Sequence, residues 1–279
     1  MTEQTALSPA KVNLFLKVTS KRPDGYHNLV SIVDVISLYD VMHIREASKG
    51  EVIVRDDRGL LPQGGANTIY RAIMLMKERY SIDSGVEVYV EKRIPPGSGL
   101  GGGSGNAATA MKELVRLWGL RVEESELAEL GRRVGADVPL FLYGKPCVMR
   151  GVGERISPID LPAICYIIVY PNAVVSTRDV YSSLRIVLTK EENEVKFSGK
   201  FLRVRDVAEI LENDLEEAAF LICPQIKTIK ERLKKAGALG SLMTGSGSAV
   251  FGVFEDEDEA QKALGEVGGL GSVFVAQSA

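Results

Sequence analysis

The order of apolar and polar positions divides the chain into an early β-rich stretch and a later mixture of helices and strands. "AKVNLFLKVTS" and "HNLVSIVDVISLYDVMHIRE" combine alternation with β-branched runs, and "EVIVRDD" is a short run closed by turn residues, so all three predict strands. "GGANTIYRAIMLMKERY" switches to helical spacing, with Ile69, Ile73 and Met76 on one face and Asn67 or Thr68 as N-cap. "GVEVYVEKRI" returns to period two. A glycine-rich loop follows, then a helix through "AATAMKELVRLWGL", its start expected near Ser104 to Ala107. A second helix opens with the acidic residues of "VEESELAELGRRVG", which suit the positive end of a helix dipole. Glycine and proline concentrate in "RGVGERISPIDLP" and mark a boundary near residues 150–162. Beyond it the pattern reads strand ("ICYIIVYP"), short helix, polar segment, helix ("DLEEAAFLICPQIKTIKERLKKAG"), two strands ending in "SAVFGVF", a helix and a final strand. Helices mixed with consecutive strands predict an α+β layer of ferredoxin-like kind. The polar run Lys190–Lys200 reads as a mobile loop.

Composition narrows the setting. Of 279 residues, 45% are apolar and 25% charged, as in ordinary globular proteins, and the length suits one or two domains. A net charge of −3 gives no overall recruitment of nucleic acid or of an anionic membrane. Cys147, Cys165 and Cys223 are far apart and mostly in apolar runs, so they read as reduced core thiols and not as a disulfide frame. The opening "MTEQTALSPAKVN" has no apolar leader core, and no run approaches the length of a membrane span. A cytoplasmic protein is expected. His43 sits in a strand and reads as structural; with no H-E-x-x-H and no paired cysteines, no metal held by the protein itself is expected.

"IPPGSGLGGGSGNAA" (94–108) poses the main chemical question, because six of the nine residues from Gly97 to Gly105 are glycine. Each costs conformational entropy on folding. A linker would lack periodic flanks, yet this loop lies between a strand and a helix and carries Leu100. Gly97, Gly99 and Gly102 match G-x-G-x-x-G, but Pro95 and Pro96 separate them from the strand, and no lysine follows as a Walker A loop requires. An anion cradle feeding a helix N-terminus remains: N–H groups from Gly101 to Gly105, four of the five bare of a Cβ, would point at a polyphosphate. A glycine-rich turn without a ligand is the alternative.

"PPGSGLGGGSGNAA" resembles the phosphate loop of the GHMP kinases. "SPAKVNLFLKVTSKRPDGYHNL" (8–29) and "GADVPLFLYGKPCVMRGVGERISPI" (135–159) are similar to signatures of those members that use ATP to phosphorylate a cytidine diphosphate ester of methylerythritol, in the non-mevalonate route to isoprenoids. "LMTGSGSAVFGVF" (242–254) resembles the family's C-terminal glycine motif. The resemblance implies an α+β, two-domain fold: residues 1–158 like ribosomal protein S5 domain 2 and carrying the phosphate loop, and residues 159–279 ferredoxin-like. It implies ATP with Mg2+, a small-molecule substrate, no nucleic acid and no membrane; a homodimer is left open.

The resemblance also assigns roles. Asp137 follows Gly135 and precedes Pro139, which places it at a helix N-terminus; from spacing alone a plain N-cap aspartate is the better reading, whereas the family motif places the catalytic base here. Lys11, in an apolar strand beside Asn13, matches the family's catalytic lysine, with Asn13 facing the alcohol. Tyr26 and His27 follow the turn signal Asp24-Gly25; an aromatic ring stacks on a cytosine and an imidazole hydrogen-bonds its polar edge. Tyr181 resembles the second aromatic closing that sandwich, with Thr177 nearby. Pro95, Pro96, Gly97, Ser98, Gly99, Leu100, Gly101, Gly102, Gly103, Ser104 and Gly105 are implied to hold ATP, with Asn67 and Lys92 near the adenine. Ser104 is a magnesium ligand or merely a helix cap. Gly105 departs from the family, which usually has serine there. The rival readings are a mevalonate- or homoserine-type kinase, a silent nucleotide-binding regulator and a dehydrogenase.

Overall fold

The computed structural model describes residues 3–184 and 201–279; the polar run Lys190–Lys200 lies outside them. The chain forms two compact units, each assembled from several stretches. The first comprises Met1–Ala10, Tyr39–Ile94 and Gly101–Gly144, and the second Lys11–Leu38, Pro95–Leu100 and Lys145–Ala279. This division interleaves along the chain, whereas the boundary expected at residue 158 is a single linear cut. Two long strands, β1 (Gln4–Lys21) and β2 (His27–Ala47), contribute residues to both units.

In the first unit, β2 pairs antiparallel with β4 (Gly85–Glu91), from Val41 opposite Glu91 to Ala47 opposite Gly85. Strand β3 (Val52–Asp56) pairs with β4 in parallel, a direction that alternation alone does not reveal. Parallel neighbours need a crossover, and α1 (Thr68–Tyr80) supplies it between β3 and β4. Alternate residues Met42, Ile44, Val86, Val88 and Val90 are fully buried, as period two requires. Helix α1 begins at Asn67, whose Oδ1 accepts from the Ile69 N–H at 2.9 Å, and it buries Ile69, Ala72, Ile73 and Met76. It packs on α2 (Gly102–Leu117) and α3 (Glu124–Val134), both of which also meet α4 (Val138–Tyr143). A Cβ on Gly131 would lie 2.7 Å from Leu142 Cδ1, so glycine there lets α3 close on α4, whose N-cap is Asp137.

In the second unit, β5 (Cys147–Gly151) pairs antiparallel with the Leu29–Val33 part of β2 and with β6 (Arg155–Pro158). The two-residue strand β8 (Glu212–Asn213) runs parallel to β1 at Phe15 and Leu16. A separate antiparallel sheet has the order β11 (Ser272–Gln277), β7 (Cys165–Tyr170), β10 (Val250–Phe254), β9 (Gly240–Met243) among the described residues. Numbered within this half, that order is 4-1-3-2 with helices between the first and second and the third and fourth strands. It is the ferredoxin-like arrangement expected from the sequence. Short helices α5 (Thr177–Ser182), α6 (Val204–Ala208) and α7 (Glu216–Ile222) precede α8 (Gln225–Lys235) and α9 (Glu257–Val267). Ile226, Ile229 and Leu233 of α8, Ala260 and Ala263 of α9 and Ile167, Val169, Met243 and Val250 of the sheet share one core. No described helix is long and apolar enough to cross a membrane.

Candidate active site

The candidate residues fall into two groups, one in each unit. In the first, Gly101 caps α2 with φ of 76°, a left-handed conformation open to glycine and strained for other residues. The helix therefore starts at Gly102, earlier than the Ser104–Ala107 start expected from its first good helix formers. This narrows the expected cradle. The Ser104 and Gly105 N–H groups close back on the Gly101 carbonyl at 3.0 and 2.9 Å. The amides of Gly102 and Gly103 have no partner among the described residues and stand at the positive end of a 16-residue helix. Thr68 Oγ1 donates to the Gly103 carbonyl at 2.7 Å and pins this turn to α1. A Cβ on Gly102 would sit 2.9 Å from Ile94 Cγ2, and one on Gly105 2.6 Å from the Pro9 carbonyl oxygen. The missing side chain at 105 thus has a packing reason: α2 lies directly on the β1 backbone.

Asp137 is half-buried at the N-cap of α4, with Pro139 in the first turn, and its side chain makes no capping hydrogen bond. The plain-cap reading loses its defining contact. Ser104 Oγ lies 3.8 Å from where a Gly135 Cβ would stand, two residues before Asp137. Behind the loop is a buried polar cluster. Lys92 pairs with Asp40, both side chains under 5% exposed, and donates to Asn106 Oδ1 at 3.2 Å. Asn106 Nδ2 donates to Asp40 Oδ2 and Ser8 Oγ, each at 2.9 Å, and Asp40 Oδ1 accepts from the Arg93 and Ile94 amides at 2.8 Å. Buried charges persist only when paired and hydrogen-bonded, and here every partner is present.

In the second unit, the first half of the glycine loop rests on the C-terminal glycine motif. Ser98 O accepts from the Ala249 N–H at 2.9 Å, and Leu100 O from the Lys11 N–H at 3.0 Å. Gly99 adopts φ of 82°, and a Cβ there would sit 2.2 Å from the Thr244 carbonyl oxygen. Lys11 is 4% exposed, and its ammonium donates to Asn13 Oδ1 and to Gly99 O, each at 2.5 Å. Asn13 Nδ2 donates to Ser31 Oγ at 2.9 Å, which in turn donates to Phe15 O at 2.6 Å.

The Asp24-Gly25 turn forms as expected, with Gly25 at φ of 88° and the Tyr26 N–H donating to Asp24 Oδ1 at 3.1 Å. Tyr26 is 65% exposed. The ring stacked on Tyr181 is His27, at 5.0 Å between centroids and 29° between planes. Partial burial, aided by the Lys21 charge, lowers the His27 pKa below its ordinary 6.5. Thr177 Oγ1 lies 2.8 Å from Ser246 Oγ.

Two family models match the chain: the GHMP kinases N terminal domain over residues 67–145, and GHMP kinases C terminal over residues 200–272. A 4-diphosphocytidyl-2-C-methyl-D-erythritol kinase of Syntrophus aciditrophicus (strain SB) is 38% identical over 275 residues, covering 98% of each chain. The enzyme of that name from Geobacter metallireducens (strain ATCC 53774 / DSM 7210 / GS-15) is 41% identical over 99% of this chain and 98% of its own. A solved structure of 4-(cytidine 5'-diphospho)-2C-methyl-D-erythritol kinase superposes with a TM-score of 0.81 at 36% identity, covering 98% of both chains. The chain belongs to the GHMP kinase family.

Within this GHMP kinase, several expected residues come together and others serve the scaffold as well. Lys11, Asn13 and Gly99 form one hydrogen-bonded group, and His27 and Tyr181 form another. Asn67 is the helix cap and also donates to Pro62 O at 3.0 Å. The Lys92 ammonium faces Asp40 and Asn106, 3.5 Å from the Gly102 Cβ position. Thr244, fully buried, accepts from the Asn13 N–H at 3.1 Å and was missed by sequence reasoning. Its one signal is its place at the head of "TGSGSA", which matched the family as a motif without naming a residue. Cys147, Cys165 and Cys223 are buried and in no disulfide among the described residues, and no group of three or more acidic, His or Cys side chains is set to hold a metal among those residues.

Proposed function

We infer that this chain phosphorylates a hydroxyl of 4-diphosphocytidyl-2-C-methyl-D-erythritol at the expense of ATP, a step in the non-mevalonate route to isoprenoid precursors. The observation that carries the inference is identity of 38% and 41% to kinases of that name over essentially the whole chain. Mevalonate- and homoserine-type activities are not favoured by those relatives.

Phosphoryl transfer to an alcohol needs a base for the hydroxyl proton, an aligned γ-phosphate and charge neutralisation on its oxygens. Asp137 is the base in this reading, supported by a carboxylate at a helix N-terminus that is not spent on capping. Lys11 offsets charge on the transferring group, and Asn13 hydrogen-bonds the alcohol; their mutual bond at 2.5 Å supports a shared task. The loop from Pro95 to Gly105 holds the phosphates of ATP, supported by the partnerless amides of Gly102 and Gly103. Asn67 caps α1, whose Thr68 pins the Gly103 carbonyl, and Lys92 directly follows β4, so both fix the frame of the loop. Mg2+ would enter with ATP, and the Ser104 hydroxyl, in the first turn of α2, would meet it there. Tyr26, His27, Tyr181 and Thr177 take the cytidine end, supported by a stack already formed between His27 and Tyr181. Three buried cysteines outside any disulfide suit a reducing, cytoplasmic setting.

The test is ADP release in a coupled assay with ATP and, in turn, the cytidylated alcohol, mevalonate and homoserine. The expected result is turnover with the first alone. Equal or faster turnover with either of the others overturns the inference.

A further inference from the structure

The C-terminal glycine motif has no role in the mechanism above, yet its threonine sits inside the Lys11 group. Thr244 Oγ1 accepts from the Asn13 backbone N–H at 3.1 Å and lies 3.2 Å from Asn13 Oδ1, to which it donates, and 3.5 Å from the Lys11 ammonium. The hydroxyl therefore bridges the backbone and the carboxamide of one residue, and that carboxamide is an acceptor for Lys11. A Cβ on Gly245 would stand 3.2 Å from Lys11 Nζ, so the motif's backbone also closes over the ammonium.

The motif is itself held from behind. Asn213 Nδ2 donates to both the Met243 and Gly245 carbonyls at 2.8 Å, straddling Thr244. Glu216 Oε1 accepts from the Met243 N–H at 2.9 Å, and its other oxygen pairs with Lys230. Asn213 lies in β8, in register with Leu16 of the strand that carries Lys11 and Asn13. Strand β1 and the 243–245 turn are thus locked to the same two-residue strand. A hydroxyl held so firmly fixes a direction for whatever it touches.

We propose that Thr244 is a positioning residue for Lys11: it fixes the Asn13 carboxamide that orients the ammonium, and Asn213 holds Thr244 in place. The proposal rests on the kinase reading for its effect on turnover but not for its effect on Lys11. The test pairs Thr244→Val, which keeps shape and removes the hydroxyl, with Thr244→Ser, which keeps the hydroxyl. The first readout is the Lys11 ammonium resonance in 15N-lysine-labelled protein, assigned by its loss in Lys11→Arg. It is expected to shift in Thr244→Val and return in Thr244→Ser. The second is kcat and KM with ATP and the cytidylated alcohol: kcat falls 10- to 100-fold in Thr244→Val with both KM values within threefold, and Thr244→Ser recovers to within fivefold of the parent.

Should Thr244→Val fail to fold, Asn213→Asp gives the same resonance test, since its carboxylate cannot donate to Met243 O and Gly245 O. A folded Thr244→Val or Asn213→Asp with the Lys11 resonance unmoved overturns the proposal, as does a kcat loss that Thr244→Ser shares in full. A parent protein that leaves the cytidylated alcohol untouched overturns the substrate assignment instead, while the resonance still decides the role of Thr244.

Discussion

Lys92→Met tests whether the cluster behind the phosphate loop is a scaffold or a nucleotide contact. The substitution removes the ammonium and leaves its alkyl chain volume nearly unchanged. Asp40, fully buried, then keeps three donors: the Arg93 and Ile94 amides at 2.8 Å and Asn106 Nδ2 at 2.9 Å. Removing one partner of a buried ion pair typically costs about 3–5 kcal/mol. The retained donors place this case at the lower end, at about 3 kcal/mol. A chain of a few hundred residues loses about 2–4 °C in Tm per kcal/mol, so a fall of roughly 6–12 °C is expected. The Lys92 side chain is only 4% exposed and already committed to Asp40 and Asn106, so KM for ATP should stay within about threefold by the relation between KM and uniform binding. Thermal unfolding by circular dichroism and initial rates against ATP concentration measure the two effects. A Tm within 2 °C of the parent together with a tenfold rise in KM for ATP, each a bound set from those same relations, would refute the scaffold argument.

Three further outcomes follow from single groups. Burial pushes the Asp34 carboxyl up to about 6, against the opposing hydrogen bonds from the Ser278 and Tyr166 hydroxyls. Its folded value thus exceeds its unfolded one near 3.8, so the unfolded state ionises first and stability falls as pH rises from about 4 to above 6, by about 3 kcal/mol in all. Asp34→Asn should abolish that fall, and an equal gap between variant and parent in urea midpoints at pH 5 and pH 7.5 would contradict it. Gly99→Ala should cost far more activity than Gly59→Ala: both have positive φ, at about 1–2 kcal/mol of strain, but a Cβ at 59 meets nothing within 4 Å while one at 99 is driven into Thr244 O. Comparable turnover in the two variants would remove the argument from close packing. Tyr26→Ala and Tyr181→Ala should each raise KM for the cytidylated alcohol by about tenfold or more, the loss of one base–aromatic contact, with kcat changed less; a pure turnover defect contradicts stacking.

What the sequence revealed was local. The cap at Asn67, the buried face of α1, the acidic start of α3 and the alternation of β4 are all carried by residues within one turn or strand. The 4-1-3-2 sheet was legible as a class from strand and helix order, since few topologies satisfy that order. The start of α2 was misjudged because Gly101 caps by conformation, and a propensity reading credits glycine only with breaking helices. The Ser8, Asp40, Lys92 and Asn106 cluster was invisible because its members are up to 98 positions apart and each alone reads as a surface polar residue. Thr244 was hidden likewise: its partner Asn13 is 231 positions away. The stack of His27 on Tyr181 joins residues 27 and 181, and a reading of local pattern does not bring two such distant rings together.

The central claim is that the carboxylate of Asp137 takes the proton of the alcohol as the phosphoryl group arrives. The most direct measurement compares Asp137→Asn with the parent, recording turnover of the cytidylated alcohol and the equilibrium binding of an ATP analogue on the same preparations. A lost general base is worth about 100- to 10,000-fold in kcat, and the amide keeps the shape of the acid, so turnover should collapse by that factor while nucleotide affinity stays within about threefold. Turnover within tenfold of the parent in a variant that still binds ATP would contradict it.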